Sequence, residues 1–306
     1  MPSQPRIVLV TGGAGFVGSH LVDELVRRGE RVRVLDSLAT GKRANLNAQA
    51  EVIEGDIRDL DAIRPVFAGV DCVFHTAAMA RVPLSIEKPV ETHAANATGT
   101  LNVLVAARDA KVRRVINSGS SSVYGDQPTL PLREDMAANP LNPYALQKFI
   151  AECYTRQFHQ LYGMQTLTLR YFNVYGPRMT AEGAYLTVIS IFLSQRKAGE
   201  PLTIEGDGEQ TRDFTHVRDV VRANILAMDC ETADGRAINI GAGHNASINE
   251  IARMIGGPQV HRPPRRGDAR NTLADNREAA RVLGWHPEVK LAQGIEELMR
   301  QAGMRA

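Results

Sequence analysis

The stretch IVLVTGGAGFVGSH, Ile7–His20, decides how the rest of the chain is read. Four consecutive apolar residues, Ile7–Val10, have the pattern of a parallel strand buried on both faces. Glycines follow at 12, 13, 15 and 18, and then a helical recurrence of Phe16, Leu21, Leu25 and Val26 that ends at Gly29. Strand, glycine turn and helix in that order allow backbone to approach a pyrophosphate closely, with its charge at the helix N-terminus. A second apolar run, Val32–Leu35, ends in Asp36. That acid falls near the roughly 20-residue distance expected of a carboxylate that accepts both hydroxyls of an adenosine ribose. A carboxylate there repels a 2′-phosphate, which favours NAD over NADP, although Lys42 and Arg43 follow closely.

Outward from this unit the alternation continues. Glu51–Glu54, Val70–His75, Val112–Asn117 and Gln165–Arg170 read as strands, and 89–110 and 143–162 read as long helices. Repeated βα units imply a doubly wound, Rossmann-type parallel sheet of the α/β class with right-handed crossovers. After residue 172 glycine and proline become frequent. Helices are expected near 185–196, 216–228, 247–255, 276–283 and 291–301, with strands near 202–204 and 237–240. The segments 205–214 and 261–270 read as turn and basic loop. We therefore divide the chain at 1–172, a dinucleotide-binding domain to which about 214–242 returns, and 173–306, a smaller α/β lobe over the carboxyl ends of the strands.

Composition limits the function. The chain has 306 residues, 43% hydrophobic and 23% charged, with a net charge of +2. Nothing in that balance suggests a nucleic-acid or membrane partner. The start MPSQPRIVLV lacks a basic-then-apolar leader pattern, and no apolar run approaches the ~18–20 residues of a membrane span. Cys72, Cys153 and Cys230 lie far apart, with neither disulfide nor metal-ligand spacing. They are expected to be reduced thiols of a cytoplasmic protein without a metal site.

The chemistry concentrates in Asn117–Gly125, NSGSSSVYG, and Pro143–Lys148, PYALQK. On a helix, Tyr144 and Lys148 share one face. A phenol titrates near pH 10, and an adjacent ammonium favours its ionised form. Ser120, at a strand end, would share a hydrogen bond with a substrate oxygen. A bare Tyr-x-x-x-Lys is common by accident. His75 reads as a core or strand-end histidine rather than a base, and Asn96 as a mid-helix residue facing solvent.

Nine motifs occur in one order: TGGAGFVGSH, LDSLATGKRANL, GDIRD, HTAA, SSSVYG, PYALQK, RYFNVYGPR, GDGEQTRDF and RRGDARNTLAD. Together they resemble the extended short-chain dehydrogenase/reductase superfamily, in its nucleotide-sugar 4-epimerase branch, over essentially the whole chain. The resemblance implies bound NAD, a UDP-sugar substrate and commonly a homodimer built from the two long helices. It implies Tyr144 as base, Lys148 as its partner and ribose ligand, and Ser120 and Ser122 as substrate-contacting hydroxyls. Gly12, Gly15, Phe16, Val17, Gly18, Asp36, Ser37, Gly41, Asp56 and Ile57 fall on cofactor positions. So do Ala77, Ala78, Asn96, Ser118 and Tyr171, with Tyr144 and Lys148. Asn173, Arg212, Arg265 and Asp268 fall on positions that hold the nucleotide diphosphate and its ribose.

The chain departs from the family's pattern in three places. Gln147 stands where Ser or Thr is usual, Gly119 lies inside the serine turn, and Arg81 replaces a small residue near the substrate. Related 4,6-dehydratases carry Asp-Glu after the hydroxyl residue, and the decarboxylases carry a Glu in that turn. Ser121 and Ser122 stand there instead and disfavour both chemistries. Thr272 aligns with a residue whose small size admits N-acetylhexosamines, and Gly183–Ile189 resembles the segment along an N-acetyl group. The expectation is therefore UDP-GlcNAc/UDP-GalNAc, with UDP-Glc/UDP-Gal alongside. UDP-uronates are the alternative, with Arg81 and Arg178 as carboxylate partners. A reductase that releases NADH, and a non-catalytic NAD(H) sensor, are the other readings.

Overall fold

The computed structural model describes residues 6–179, 187–264, 267 and 269–304. The expected contacts at Arg265 and Asp268, and most of the 183–189 segment, lie outside these residues.

The first half alternates strand and helix. β1 (Ile7–Thr11) leads into α1 (Phe16–Arg27), followed by β2 (Arg31–Asp36), β3 (Glu51–Glu54), the short α2 (Leu60–Ile63) and β4 (Cys72–His75). Next come α3 (Val82–Glu87), α4 (Pro89–His93), a π-helical stretch Ala94–Thr98 and α5 (Gly99–Asp109). β5 (Arg114–Ser120), α6 (Pro143–Tyr162) and β6 (Gln165–Tyr171) complete this half. The second half holds α7 (Val188–Ala198), β7 (Leu202–Glu205), β8 (Thr211–Asp213), α8 (Val217–Asp229), β9 (Asp234–Ile240) and β10 (Asn245–Ser247). It ends with α9 (Ile248–Ile255), β11 (Gln259–Arg262), α10 (Arg277–Leu283) and α11 (Leu291–Gln301).

Seven strands form one sheet in the order β3-β2-β1-β4-β5-β6-β9, each neighbouring pair parallel. Chain order reverses between β1 and β4, which opens a crevice at the carboxyl ends of the strands where such sheets bind ligands. Alternate side chains of β1 serve opposite layers. Val8 and Val10 pack with Leu21, Leu25, Val217 and Val220 of α1 and α8, while Leu9 packs with Val73, Val103, Leu104 and Val115. A third core, Tyr175, Phe192, Ile204, Phe214, Ile251 and Leu298, stabilises the smaller lobe. Strand β9 joins the large sheet beside β6, so the chain returns to it after crossing that lobe.

Three expectations need correction. The basic loop begins late, because Gln259–Arg262 pairs in parallel with β7. All four residues are exposed, so no buried alternation marks the strand. Within the expected turn, Thr211–Asp213 pairs antiparallel with Asn245–Ser247, a ladder too short to leave a period. The helix read as continuous over 89–110 is interrupted by the π-helical turn at Ala94–Thr98. That turn carries Asn96 inward, where it is 1% exposed rather than facing solvent. Among the described residues no helix is long and apolar enough to cross a membrane. No cluster of His, Cys, Asp or Glu there could hold a metal ion.

Candidate active site

A cavity of about 540 Å³ runs from the glycine turn, across the ends of β5 and β6, to the smaller lobe. At its first end Gly12 has φ +74, and a Cβ there would lie 2.7 Å from Ala77 Cα, so the turn is packed against the end of β4. Gly15 caps α1 without a side-chain bond, so the helix N-terminus meets the cavity through backbone alone, the arrangement that suits an anion. Gly12, Gly15, Phe16, Val17 and Gly18 all line the cavity, as does Ala78. The Asp36 carboxylate accepts from Ala14 N at 2.9 Å and Leu38 N at 2.8 Å, which fixes it at the rim of the turn. Asp36, Ser37, Gly41, Asp56, Ile57 and Ala77 are not among the residues that line the cavity. Asp56 is engaged by Arg58, which lowers its titration.

His75 lies beneath the turn and is spoken for. Thr100 donates its hydroxyl to Asn96 O, so it accepts from His75 Nε2–H at 2.9 Å, and His75 Nδ1 accepts from Thr11 Oγ1 at 2.7 Å. Burial, with Lys148 nearby, pushes this imidazole down to about 3. It is a neutral structural histidine.

Tyr144 occupies the first turn of α6. Asn142 caps that turn by accepting from Ala145 N at 2.9 Å, and Pro143 fits the first helical position. Lys148 follows one turn later on the same face, 6% exposed. The serine turn approaches from the end of β5, where Ser120 Oγ and Ser122 Oγ are 2.8 Å apart. Burial raises the Tyr144 phenol, and the Ser120 hydroxyl bonded to it opposes that shift. Burial lowers the Lys148 ammonium to about 8.

The cost of burying Lys148 is testable. Its folded titration point lies below the unfolded one, so between about 8 and 10.5 the unfolded chain binds more protons. Stability of the NAD-free protein is therefore expected to rise with pH across that window. Lys148→Met should raise the melting temperature at pH 7, with the gain shrinking towards pH 10.5. Thermal unfolding at the two pH values checks this.

Gly119 belongs to β5. A Cβ there would meet Thr168 Cγ2 at 2.6 Å, so this departure from the family's pattern serves the close approach of β5 to β6. Beside it, Ser118 Oγ and Tyr171 OH are 3.1 Å apart, and Tyr171 donates to Asn224 Oδ1 at 2.9 Å. Below the serine turn, Arg170 bonds both oxygens of Glu152, at 2.8 and 2.6 Å, and donates to Tyr124 OH at 2.6 Å. Tyr124 closes the turn that Ser120 begins.

At the far end Asn173, with φ +23, donates weakly to Thr272 Oγ1 at 3.5 Å. Arg212 Nη1 rests on the carbonyls of Thr211 and Arg270, at 2.9 and 3.1 Å. Asp213, next to it, accepts from Ala242, Gly243 and Ala274 N, which ties three segments beneath the cavity. Asn173, Arg212 and Thr272 all line the cavity, as does Arg81, whose Nε is buried with no partner among the described residues. Arg178 also reaches the cavity, but donates to Asp23 Oδ2 at 2.6 Å.

Other parts of the lining were not singled out from the sequence: Ile191 and Phe192 from α7, Thr203 and Glu205 from β7, and Asn45 near Asp36. They come from separate elements with no shared spacing, so only the folded chain unites them. Asn96 belongs to the wall behind the cavity, since its side chain bonds Met79 N and O at 2.7 and 3.1 Å.

Comparison with known proteins places this geometry in context. The model of the NAD dependent epimerase/dehydratase family matches residues 8–241. A putative UDP-glucose 4-epimerase of Methanocaldococcus jannaschii is 38% identical over 301 residues, covering 96% of this chain and 97% of that protein. The solved UDP-glucose 4-epimerase of Thermotoga maritima, with UDP-glucose, superposes with a TM-score of 0.92 at 36% identity, over 96% of this chain and 99% of that one. The UDP-N-acetylglucosamine 4-epimerase of Methanobrevibacter ruminantium M1, in complex with UDP-N-acetylmuramic acid, gives 0.89 at 34% identity, over 97% and 99%.

Proposed function

Because the chain belongs to the NAD dependent epimerase/dehydratase family, we propose that it reversibly inverts C4 of a UDP-hexose, with UDP-GlcNAc/UDP-GalNAc favoured and UDP-Glc/UDP-Gal alongside. The observation that carries this reading is the convergence of Ser120, Tyr144 and Lys148 in one cavity with the glycine turn at one end and Arg212 at the other.

The first end fits NAD. Gly12 and Gly15 keep the turn tight, since a Cβ on Gly12 would meet Ala77 and one on Gly15 the Gly12 carbonyl, and Asp36 is held as a fixed carboxylate suited to ribose hydroxyls while opposing a 2′-phosphate. When bound, NAD supplies a reversible hydride acceptor. Tyr144, as its phenolate, takes the proton from the C4 hydroxyl of the sugar. Ser120 shares a hydrogen bond with the same oxygen, and Lys148 holds the negative charge on Tyr144. The resulting 4-ketose is retained while Arg212 grips the diphosphate, assisted by Arg265 in this reading, so the sugar can turn over and present its other face. Tyr144 then returns its proton to C4 oxygen. The turn Ser120–Tyr124 carries no carboxylate, so it has no group to expel water or promote loss of CO₂.

Thr272 supports the N-acetylhexosamine preference. Its small side chain lines the cavity and accepts from Asp213 N and Asn173 Nδ2. The unpartnered Arg81 Nε favours a second reading, a sugar bearing a carboxylate. Incubation with UDP-GlcNAc, UDP-Glc and UDP-GlcA without added NAD, with C4 epimers resolved by NMR, tests both. We expect the fastest interconversion for UDP-GlcNAc. Conversion of UDP-GlcA alone would favour the second reading, and conversion of none would defeat the epimerase reading.

A further inference from the structure

Gln147 precedes Lys148 on α6, is 3% exposed, and is not among the residues that line the cavity. Its carboxamide is fully used. Nε2 donates to Thr92 Oγ1 at 3.0 Å and Pro89 O at 3.4 Å, and Oε1 accepts from Asn96 Nδ2 at 2.9 Å. Asn96 in turn grips both backbone groups of Met79, accepting from its N–H and donating to its carbonyl. Met79 lies between Ala78 and Ala80, both of which line the cavity near the glycine turn, and Arg81 follows. The tie therefore runs from the helix that carries Tyr144 and Lys148, through Gln147 and Asn96, to the cavity wall. A second tie is parallel to it, since Tyr144 N donates to Ser85 Oγ, which donates to Val82 O.

The π-helical turn is what lets the first tie form. It carries Asn96 to face Met79 on one side and α6 on the other. Serine or threonine at position 147 is shorter by two bonds and cannot span Asn96 and Thr92 together.

We propose that Gln147 is a positioning residue which, through Asn96, locks the Met79–Arg81 wall against the base-bearing helix and thereby slows release of the dinucleotide. The inference rests on the NAD-dependent reading given above. Gln147 is not among the residues lining the cavity, so its loss should act on cofactor release and leave proton transfer by Tyr144 intact.

The test uses the full-length holoenzyme and two variants of nearly constant side-chain volume. Gln147→Met removes both donor and acceptor. Gln147→Glu keeps the oxygen that Asn96 reaches. The NAD content after gel filtration, and the rate of NAD release on dilution, are measured alongside kcat at saturating NAD and its pH profile. Gln147→Met is expected to release NAD about tenfold faster, because a buried hydrogen-bonded tie is lost. Its kcat at saturating NAD and its pH profile should match the parent, and Gln147→Glu should lie nearer the parent than Gln147→Met does. Release from Gln147→Met at the parent rate would overturn the proposal, as would equal release from the two variants. If Gln147→Met does not fold, parent-rate release from a folded Gln147→Glu supports it and tenfold faster release overturns it. A parent enzyme that carries no NAD would instead defeat the functional reading itself.

Discussion

Tyr144→Phe is expected to lower kcat by about 10²–10⁴, the usual contribution of a placed general acid–base group, while bound NAD and affinity for the UDP-sugar stay near those of the parent. The substitution removes one oxygen. The benzene ring still fills the first turn of α6, and the backbone bond from residue 144 N to Ser85 Oγ survives. Ser120 retains Ser122 as a partner at 2.8 Å. What disappears is, among the described residues, the only phenol in the cavity lining that stands one turn from Lys148 on a common face. Tyr171, the other phenol among the described lining residues, is committed to Ser118 and Asn224, and burial pushes it up to about 12. It cannot take over near neutral pH. Steady-state kinetics, with absorbance of the bound dinucleotide, check this. A variant that turned over within tenfold of the parent would remove Tyr144 from the chemistry.

Glu152→Ala should produce the largest loss of stability, about 3–5 kcal/mol, because it strands a buried cation. The Arg170 and Glu152 side chains are 6% and 10% exposed and meet in a two-bond fork. Arg170 also stacks over Tyr124, 4.7 Å from the ring centroid, and donates to its hydroxyl. Tyr124 OH passes the chain of bonds to Asn239 on β9 at 2.7 Å. Without Glu152, Arg170 must reach for water and disturb Tyr124, which closes the serine turn, so kcat should fall as well. Replacing both partners by methionine should cost less than Glu152→Ala alone, because no charge is then left buried. Urea unfolding of the NAD-free proteins makes the comparison. Equal losses for the single and double variants would show that packing, rather than the stranded charge, sets the cost.

Much of the large sheet was legible because its strands are apolar and its helices amphipathic. Val8 and Val10 face one layer and Leu9 the other, and a run buried on both faces has no other common use. The serine turn and the Tyr144–Lys148 pair were legible because their spacing carries the geometry, and the structure gathers Ser120, Tyr144 and Lys148 in one cavity. Less was legible where exposure or a change of helical pitch erased the period. Gln259–Arg262 forms a strand with all four residues exposed. Asn96 looked like a solvent-facing residue because a uniform α-helix was assumed, and one π-helical turn rotates it inward. Gln147 was visible only as a departure. Its meaning lies in Asn96 and Thr92, which are brought to it by folding.

The central claim is that C4 is oxidised and reduced within one cavity, without exchange of its hydrogen with solvent. A UDP-hexose carrying deuterium at C4, incubated in ordinary water with the purified protein and no added NAD, tests this directly by NMR. The account predicts that the C4 epimer keeps its deuterium at C4 and gains no solvent hydrogen on the ring. Loss of the label to water, or incorporation of solvent hydrogen at C3, C4 or C5, would contradict it.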